Sequence, residues 1–294
     1  MRIVVTGGAG FIGGNLSVYL KGRGYDVVAV DSLERASTKS LLEEAGVELI
    51  VSDLRYSIDI PRADIIVHTA AYIDVDESFR KPYEYIVNNT AVTMALAKKS
   101  LDDSVKLIYL SSAAVYGEPK YLPIDEDHPK DPISPYGLSK LMGEYAVSFY
   151  GRLGLRYAIV RPFNVYGPGQ RGSYVGVIAR FIDRVRRGEP PVIYGDGSQT
   201  RDFIHVSDLS RLIERIIEVD AIGVYNAGSG IETRIIDLAK LVSRLANLDL
   251  EPIHVDAKLG DIKRSYADVS KARSLTWSAR KTLEEGIKEL FDQP

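Results

Sequence analysis

The chain has 294 residues, of which 45% are hydrophobic, and a formal net charge of -3. This length can bury a large core in one large domain or two modest ones. Without a basic excess to neutralise phosphates, a nucleic-acid partner is disfavoured. No apolar run reaches the length of a membrane span, so we expect no membrane partner, and because the first predicted strand begins at residue 2 we expect no leader segment. The lack of cysteine excludes disulfides and thiolate metal sites and fits a cytoplasmic enzyme, for which we expect no metal.

The first 31 residues predict a dinucleotide-binding unit. Residues 2–6 (RIVVT) have the composition of a buried parallel strand, and the run 7–13 (GGAGFIG) leads from it into helical spacing. Residues 25–31 (YDVVAVD) predict a second strand. Glycine permits a tight turn and lets backbone N–H groups approach a pyrophosphate. We therefore expect this turn to bind the cofactor through Gly7, Gly10, Phe11, Ile12 and Gly13.

The second strand ends in Asp31, eighteen residues after Gly13, and this acid favours NAD over NADP. Its carboxylate, with Ser32 beside it, can accept hydrogen bonds from an adenosine ribose and would repel a 2′-phosphate. Later strands at 47–51 and 63–68 end next to polar or small residues that can contact the adenine or lie against a flat ligand. These further cofactor candidates are Asp53, Leu54, Ala70 and Ala71.

The alternating strands and helices predict an α/β fold with a doubly wound parallel Rossmann-type sheet. We expect an NAD-binding domain over residues 1–161 and a smaller C-terminal α+β substrate domain over 162–294. Residues 202–228 predict a strand, a helix and a strand, and this segment can return to the first domain.

Residues 82–99 predict one long helix with Asn88 and Asn89 early in it. Asparagine is a poor helix former, so we expect a ligand or a neighbouring backbone segment to use these amides, and we assign Asn89 to the cofactor. His68, at the end of the strand 63–68, is expected to be a core histidine without a chemical role.

A second motif, residues 135–140 (PYGLSK), begins a predicted helix. Tyr136 and Lys140 are four residues apart and share one helix face. A free tyrosine, with a pKa of about 10, is a poor base at neutral pH. A lysine ammonium and a positive nicotinamide ring would lower that pKa, and Lys140 could also hold the nicotinamide ribose. Ser112, which follows the strand 105–110, is the expected third catalytic residue, in contact with the substrate oxygen.

With these motifs the chain resembles the extended short-chain dehydrogenase/reductase family, and within it most closely the UDP-galactose (UDP-glucose) 4-epimerases. The resemblance runs nearly end to end. Besides the motifs above it is carried by residues 88–89, 111–117, 161–168 (RPFNVYGP), 195–206 (GDGSQTRDFIHV) and 260–268. It implies bound NAD, a UDP-sugar substrate and a homodimer that pairs through two long helices.

The resemblance also implies contacts to the substrate and the nicotinamide. Asn164 and Arg201 would hold the diphosphate, and Phe163 would pack near the nicotinamide. Residues 174–181 resemble the family's uridine-binding stretch, which includes Val177 and places Phe181 near the base.

Three positions near the C-terminal end extend this comparison. Asp261 is the candidate for the uridine ribose. Lys258 stands where many epimerases carry an arginine for the diphosphate, so that contact is expected to be weaker or absent. Ser265 falls where the family has a residue facing position 2 of the sugar, and its small side chain implies some tolerance for N-acetylhexosamines.

The residues after Ser112 help to choose the reaction. The related 4,6-dehydratases carry an Asp-Glu pair there for water elimination, whereas this chain has Ala113 and Ala114, whose methyl groups cannot move protons. The resemblance therefore favours an NAD-dependent 4-epimerase that works through a 4-keto intermediate. The alternatives are an epimerase of another nucleotide sugar (UDP-N-acetylhexosamine or UDP-glucuronate), a net NAD-linked dehydrogenase or reductase, and a non-catalytic NAD-binding scaffold.

Overall fold

The structure, a computed structural model, describes residues 1–170, 176–257 and 262–292. Within these ranges the strands in chain order are β1 (Arg2–Thr6), β2 (Asp26–Asp31), β3 (Glu48–Val51), β4 (Ile65–His68), β5 (Lys106–Leu110), β6 (Tyr157–Pro162), β7 (Asn164–Tyr166), β8 (Val192–Tyr194), β9 (Thr200–Arg201), β10 (Phe203–His205), β11 (Gly223–Ala227), β12 (Thr233–Arg234) and β13 (Ile253–Val255). The helices are α1 (Phe11–Gly22), α2 (Lys39–Glu44), α3 (Val75–Arg80), α4 (Pro82–Tyr85), α5 (Val92–Asp102), α6 (Pro135–Arg152), α7 (Val177–Arg186), α8 (Val206–Glu218), α9 (Ile235–Leu245), α10 (Ser270–Ser274) and α11 (Leu283–Phe291).

A seven-stranded sheet in the order β11-β6-β5-β4-β1-β2-β3 forms the centre, and its strand pairs are parallel. Alternate side chains of β1 enter two cores, one on each face of the sheet. Ile3 and Val5 belong to the same core as Leu16 of α1, whereas Val4 shares its core with Leu96 of α5. Strands buried on both faces are expected from such continuous apolar runs. The predicted doubly wound Rossmann-type sheet is confirmed.

The strand order reverses at β1, which pairs with β2 on one side and with β4 on the other. The connections that follow these strands diverge, and a crevice opens at the carboxyl ends, where such folds bind ligands. The loop after β2 and the loop after β4 therefore flank the loop after β1.

His68, the last residue of β4, lies inside this core. Its Nδ1 is 2.7 Å from Thr6 Oγ1 and its Nε2 is 2.9 Å from Thr93 Oγ1. Burial, with a smaller contribution from the Lys140 charge, lowers the pKa of His68 to about 3. The imidazole is a satisfied neutral core group, as expected from the sequence.

The seventh strand of the sheet comes from beyond residue 161. β11 pairs with β6 at the sheet edge, and α8, which precedes it, packs on α1. Glu214 of α8 accepts hydrogen bonds from Tyr19 Oη at 2.5 Å and from Arg23 Nε at 2.8 Å. Residues 206–227 thus add a strand to the sheet and a helix to one of its faces. The division of the chain into two domains stays a prediction.

The C-terminal part has a core of its own. It gathers Tyr166, Phe181 of α7, Leu238 of α9 and Ile287 of α11. The strand pairs β7–β10, β8–β13 and β9–β12 surround it. Phe181 is 2% exposed and is part of this core, so its contact with the uracil ring stays a prediction.

The predicted helix over 82–99 is divided in the structure. After α4, residues Ile86–Ala91 form a π-helical segment, and α5 continues to Asp102. Both Asn88 and Asn89 lie in the π-helical segment. Such segments are rare and occur frequently at functional sites.

Within the described ranges, no helix is long and apolar enough to cross a membrane. The same ranges contain no group of three or more His, Cys, Asp or Glu side chains that could hold a metal ion.

Candidate functional site

The glycine-rich turn lies at the carboxyl end of β1 and opens into α1. Gly7 has a φ of 69°, and a Cβ there would lie 2.5 Å from the backbone N of Ala70. A Cβ on Gly13 would collide with the Gly7 carbonyl oxygen and lie 2.6 Å from Thr69 Oγ1. The turn can close against the β4 loop only with glycine at these positions. It leaves the first backbone N–H groups of α1 at the crevice, where they can bind an anion.

A cavity, here called the β1 cavity, fills the crevice between the loops after β1, β2, β3 and β4. It is lined by every cofactor candidate that the sequence proposed before residue 80: Gly7, Gly10, Phe11, Ile12, Gly13, Asp31, Ser32, Asp53, Leu54, Ala70 and Ala71. It is also lined by Asn88, for which a ligand or a backbone partner was expected, and by residues that sequence reasoning missed, namely Glu34, Arg35, Arg55 and Tyr72. These four residues lie three or four positions after the end of β2, β3 or β4. Their position after a strand end could have identified them from the sequence.

Asp31 connects the loop after β1 to the loop after β2 at the β1 cavity. Its Oδ2 accepts a hydrogen bond from Ala9 N at 3.0 Å, and its Oδ1 accepts one from Leu33 N at 2.7 Å. A carboxylate can accept about four hydrogen bonds, so Asp31 retains capacity for ribose hydroxyl groups.

Asp53 is held by Arg55. Its Oδ1 accepts from Arg55 N at 3.0 Å and from Arg55 Nε at 2.9 Å. The Arg55 hydrogen bonds outweigh the effect of burial and keep the pKa of Asp53 below its ordinary value. The carboxylate is therefore charged at the cavity wall, and its contact with the adenine amino group stays a prediction.

Tyr136 and Ser112 meet at the other end of the crevice. α6 begins with Pro135 after Ser134, whose side chain accepts from Gly137 N at 3.0 Å, and this cap sets Tyr136 in the first turn. Ser112 is near enough to the Tyr136 hydroxyl to lower its pKa, and its Oγ accepts a hydrogen bond from Ala114 N at 3.1 Å. Two of the three predicted catalytic side chains are thus neighbours.

Lys140, the third predicted catalytic residue, is 3% exposed, and its Nζ lies 4.7 Å from the centre of the Tyr109 ring. Burial lowers the pKa of Lys140 to about 7, although the Glu144 charge acts in the opposite direction. Burial also raises the pKa of Tyr136, and the nearby Ser112 side chain lowers it only in part. The net effect of the protein's own groups is therefore to raise the pKa of Tyr136, whereas Lys140 was expected to lower it. Of the two positive charges expected to lower this pKa, the nicotinamide ring is the one that remains.

The chain matches the model of the NAD dependent epimerase/dehydratase family over residues 3–228. It is 34% identical to the UDP-glucose 4-epimerase of Mycolicibacterium smegmatis over 306 residues, which cover 99% of this chain and 98% of the relative. Its fold matches the UDP-glucose 4-epimerase of Thermotoga maritima, solved with UDP-glucose, at a TM-score of 0.92 and 34% identity, over 98% of this chain and 97% of the other. It also matches the UDP-N-acetylglucosamine 4-epimerase of Methanobrevibacter ruminantium, solved with UDP-N-acetylmuramic acid, at a TM-score of 0.91 and 34% identity, over 98% and 96% of the two chains.

The chain belongs to the NAD-dependent epimerase/dehydratase family. Its cofactor is NAD, as predicted. The glycine turn, the N-terminus of α1 and the carboxylate of Asp31 fit a dinucleotide in the β1 cavity. Bound there, NAD would supply reversible hydride transfer.

The structure gives Asn89, which was assigned to the cofactor from the sequence, partners within the protein. Asn89 is 1% exposed, and its Nδ2 donates to the Tyr72 carbonyl and to Ser139 Oγ, both at 2.9 Å, while its Oδ1 accepts from Tyr72 N at 2.8 Å. Asn88 Nδ2 also donates to Asn89 Oδ1 at 3.0 Å, so both donors and both acceptor positions of this amide are used, and Asn89 ties the β4 loop to α6. Asn88 is the asparagine that reaches the β1 cavity. The expectation that a neighbouring backbone segment uses these amides is confirmed for Asn89.

The predicted diphosphate residues gather around Asp202. Asn164 N and Nδ2 both donate to the Asp202 carbonyl at 3.0 Å. The Asp202 carboxylate accepts from Ser229 N at 2.7 Å and from Ala267 N at 3.1 Å. Arg201, beside it, donates from Nη1 to the carbonyl of Ile262 at 2.6 Å. Asp202 thus brings the segments with Asn164, Arg201 and residues 262–267 together.

The remaining substrate-side candidates are placed as follows. Phe163 is buried and lies against Tyr116, with ring centres 6.4 Å apart. Val177 is the first residue of α7, and Ser265 is 8% exposed on the segment next to Arg201. Asp261 and Lys258 lie outside the described residues.

Proposed function

We propose that this protein is a 4-epimerase that interconverts UDP-galactose and UDP-glucose with bound NAD. The observation that carries the proposal is Tyr136, buried in the first turn of α6 and near Ser112, with Ala113 and Ala114 directly after Ser112. This arrangement offers one proton-transfer group to a sugar hydroxyl. The similarity to UDP-glucose 4-epimerases over nearly the whole chain supports the same reaction.

In the proposed mechanism, Tyr136 takes the proton of the sugar 4-hydroxyl as carbon 4 loses hydride, and NAD held in the β1 cavity would supply the acceptor for that hydride. Ser112 would hold the same oxygen, Lys140 would hold the nicotinamide ribose, and the positive nicotinamide ring would assist the ionisation of Tyr136. Asn164 and Arg201 hold the diphosphate, so that the 4-keto sugar can turn about this linkage and receive hydride on its other face. No net redox change results.

The same residues distinguish the epimerase from a dehydratase, a net dehydrogenase and a non-catalytic scaffold. Water elimination needs an acid and a base after Ser112, and the alanine methyl groups at 113 and 114 cannot transfer protons. A net dehydrogenase uses the same tyrosine and lysine and would accumulate NADH. A non-catalytic scaffold has no use for a tyrosine and a lysine buried side by side at the carboxyl edge of the sheet.

We use Ser265 to propose which UDP-sugars the enzyme accepts. A serine occupies less space than an aromatic residue, and the M. ruminantium UDP-N-acetylglucosamine 4-epimerase is similar over nearly the whole chain. We therefore expect UDP-N-acetylgalactosamine to be converted as well. If Ser265→Tyr left the relative rates on UDP-galactose and UDP-N-acetylgalactosamine unchanged, this part of the proposal would be abandoned.

We also propose a homodimer that works in the cytoplasm, where NAD and nucleotide sugars are found. Exposed apolar side chains concentrate on α5 and α6, where a dimer would bury them. They are Met94, Leu138, Met142, Tyr145 and Phe149. Contiguous exposed apolar surface of this kind marks interfaces between proteins.

The test is incubation of the protein with UDP-galactose and detection of UDP-glucose, with UDP-glucuronate and UDP-N-acetylgalactosamine in parallel. Interconversion without accumulation of NADH is the expected result. Tyr136→Phe should lower kcat by about 10²- to 10⁴-fold while bound NAD is retained. Tyr83→Phe, at an exposed tyrosine of α4, is the matched control. Accumulation of NADH, or conversion of UDP-glucuronate alone, would overturn the proposal.

A further inference from the structure

Two loops meet across the carboxyl end of β1. One loop, residues 32–38, follows β2, and the other, residues 69–74, follows β4 and leads into α3. Because β1 lies between β2 and β4 in the sheet, any contact between these loops must pass over the glycine turn of β1. Side chains from both loops line the β1 cavity.

Arg35 of the first loop stacks on Tyr72 of the second loop and forms a bidentate ion pair with Glu77, in the first turn of α3. Arg35 Nη1 donates to Glu77 Oε2 at 2.9 Å, and Nη2 donates to Oε1 at 3.2 Å. The guanidinium lies 3.8 Å from the centre of the Tyr72 ring. The side chains of Arg35 and Glu77 are 22% and 11% exposed, so water screens this pair less than an exposed one. We call Arg35, Tyr72 and Glu77 the latch.

A second layer supports the latch. Tyr72 Oη donates to both carboxylate oxygens of Glu34 at 2.9 Å, and Arg55 Nη2 donates to Glu34 Oε2 at 2.7 Å. Burial, and then the hydrogen bond to Glu34, raise the pKa of Tyr72 to about 12, so its hydroxyl stays a donor. Burial alone would raise the pKa of Glu77, but hydrogen bonds from Arg35 and Tyr85 outweigh it and keep the carboxylate charged.

The ends of the 32–38 loop are fixed independently of the latch. Asp31 Oδ1 accepts from Leu33 N at 2.7 Å, and Leu33 has a φ of 63°. At the other end, Thr38 Oγ1 donates to the carbonyls of Ala9 and Gly10, both at 3.0 Å. The loop is thus tied to the glycine turn at both ends, and only its middle, with Glu34 and Arg35, reaches across to the β4 side.

We propose that the latch closes the loop after β2 over the cofactor and controls how fast NAD leaves the β1 cavity. A dinucleotide in the β1 cavity would lie against Arg35 and Tyr72, which line it, and Glu77 holds Arg35 in that position. The latch must open before such a ligand can escape, and breaking it speeds dissociation. The proposal rests on the cofactor and not on the sugar, so failure of the epimerase assignment leaves it testable.

The test measures NAD release directly. Protein loaded with NAD is freed of excess nucleotide by gel filtration and diluted, and the NAD remaining on the protein is followed with time. Arg35→Met should release NAD about tenfold faster and Glu77→Gln several-fold faster, because each removes the charge-assisted pair. Arg187→Met, in the exposed pair with Asp183, is the matched control and should leave the release rate unchanged.

The two single variants separate the latch from simple charge attraction. If Arg35 only attracted the anionic pyrophosphate, Glu77→Gln would remove a negative charge and slow the release of NAD. The latch requires both variants to be faster, with the double variant no faster than the faster single one. Slower release from Glu77→Gln, or rates within twofold of the unchanged protein for both variants, would overturn the proposal.

A further variant covers the case in which Glu77→Gln does not fold. Arg35→Lys keeps the positive charge but loses the bidentate fork and the flat stacking on Tyr72. It should release NAD faster than the unchanged protein and more slowly than Arg35→Met. Release from Arg35→Lys at the unchanged rate would show that only a point charge is needed, which contradicts the latch.

Discussion

Glu144 and Arg161 form a bidentate ion pair behind the proposed catalytic residues, with Arg161 Nε 2.9 Å from Oε1 and Nη2 2.7 Å from Oε2. Glu144 lies one turn after Lys140 on α6, and its Oε1 also accepts from Ser111 Oγ at 2.6 Å. Arg161, on β6, donates from Nη1 to Tyr116 Oη at 2.9 Å. The pair therefore joins α6 to the ends of β5 and β6 and fixes Ser112 relative to Tyr136.

Glu144→Gln should lower the free energy of unfolding by about 3–5 kcal/mol, because it leaves the guanidinium of Arg161 buried without its counter-charge. The side chains of Arg161 and Glu144 are 3% and 5% exposed, which is why the cost is large. Urea unfolding measures the change. Asp183→Asn, in the exposed pair with Arg187, is the control and should cost less than about 1 kcal/mol. Equal costs for the two variants would show that the buried pair is not structurally important.

Gly13→Ala should abolish the retention of NAD, since its methyl group would occupy the space of the Gly7 carbonyl oxygen and distort the turn. Gly22→Ala, at the end of the same helix, has no atom within 4 Å of the added carbon and serves as the control. The NAD content of the two purified variants, measured against protein concentration, checks this. Retention of NAD by Gly13→Ala at the level of Gly22→Ala would contradict the assigned role of the turn.

The sequence predicted the features that short-range patterns encode. The glycine turn and the acid at the end of β2 lie within one βαβ unit, so their spacing alone placed Gly7, Gly13 and Asp31 in one cavity. The latch could not be found this way, because Arg35 and Glu77 are 42 residues apart and meet only after β2 and β4 take their places beside β1. The partners of Asn89 could not be predicted for a related reason. Local composition shows that the Asn89 amide needs a hydrogen-bond partner. It does not show whether that partner is a ligand or the backbone of Tyr72.

The free energy of unfolding should increase with pH through a contribution from Lys140. Burial lowers its pKa to about 7 in the folded protein, whereas the unfolded chain has a lysine pKa of about 10.4. Between these values the unfolded state binds more protons, so the stability contributed by this group is lowest below pH 7 and rises up to about pH 10. Urea unfolding of the unchanged protein and of Lys140→Met, at matched NAD content, should show a difference that shifts in favour of the unchanged protein from pH 6.5 to 9.5. A pH-independent difference would contradict the lowered pKa.

The ascending limb of the pH–rate profile, on which activity rises with pH, should move to higher pH in Ser112→Ala. Burial raises the pKa of Tyr136, and the nearby Ser112 side chain lowers it in part, so loss of the serine hydroxyl raises the pKa further. Because the phenolate is the proposed base, activity rises as the pH approaches that pKa. The profile of kcat against pH checks this for both proteins. A uniform loss of activity at every pH would mean that Ser112 acts only on the substrate.

Tyr145→Glu should convert the proposed dimer to a monomer. Tyr145 is 60% exposed on α6 and belongs to the apolar surface shared with α5. A charge in the middle of this surface would be buried without a partner in a dimer, which costs several kcal/mol, whereas in a monomer it remains in water. Sedimentation velocity of the purified proteins measures the outcome. Ile222→Glu, at a 63% exposed position before β11, is the control and should leave the oligomeric state unchanged. An unchanged sedimentation coefficient for Tyr145→Glu would place any dimer contact elsewhere on the molecule.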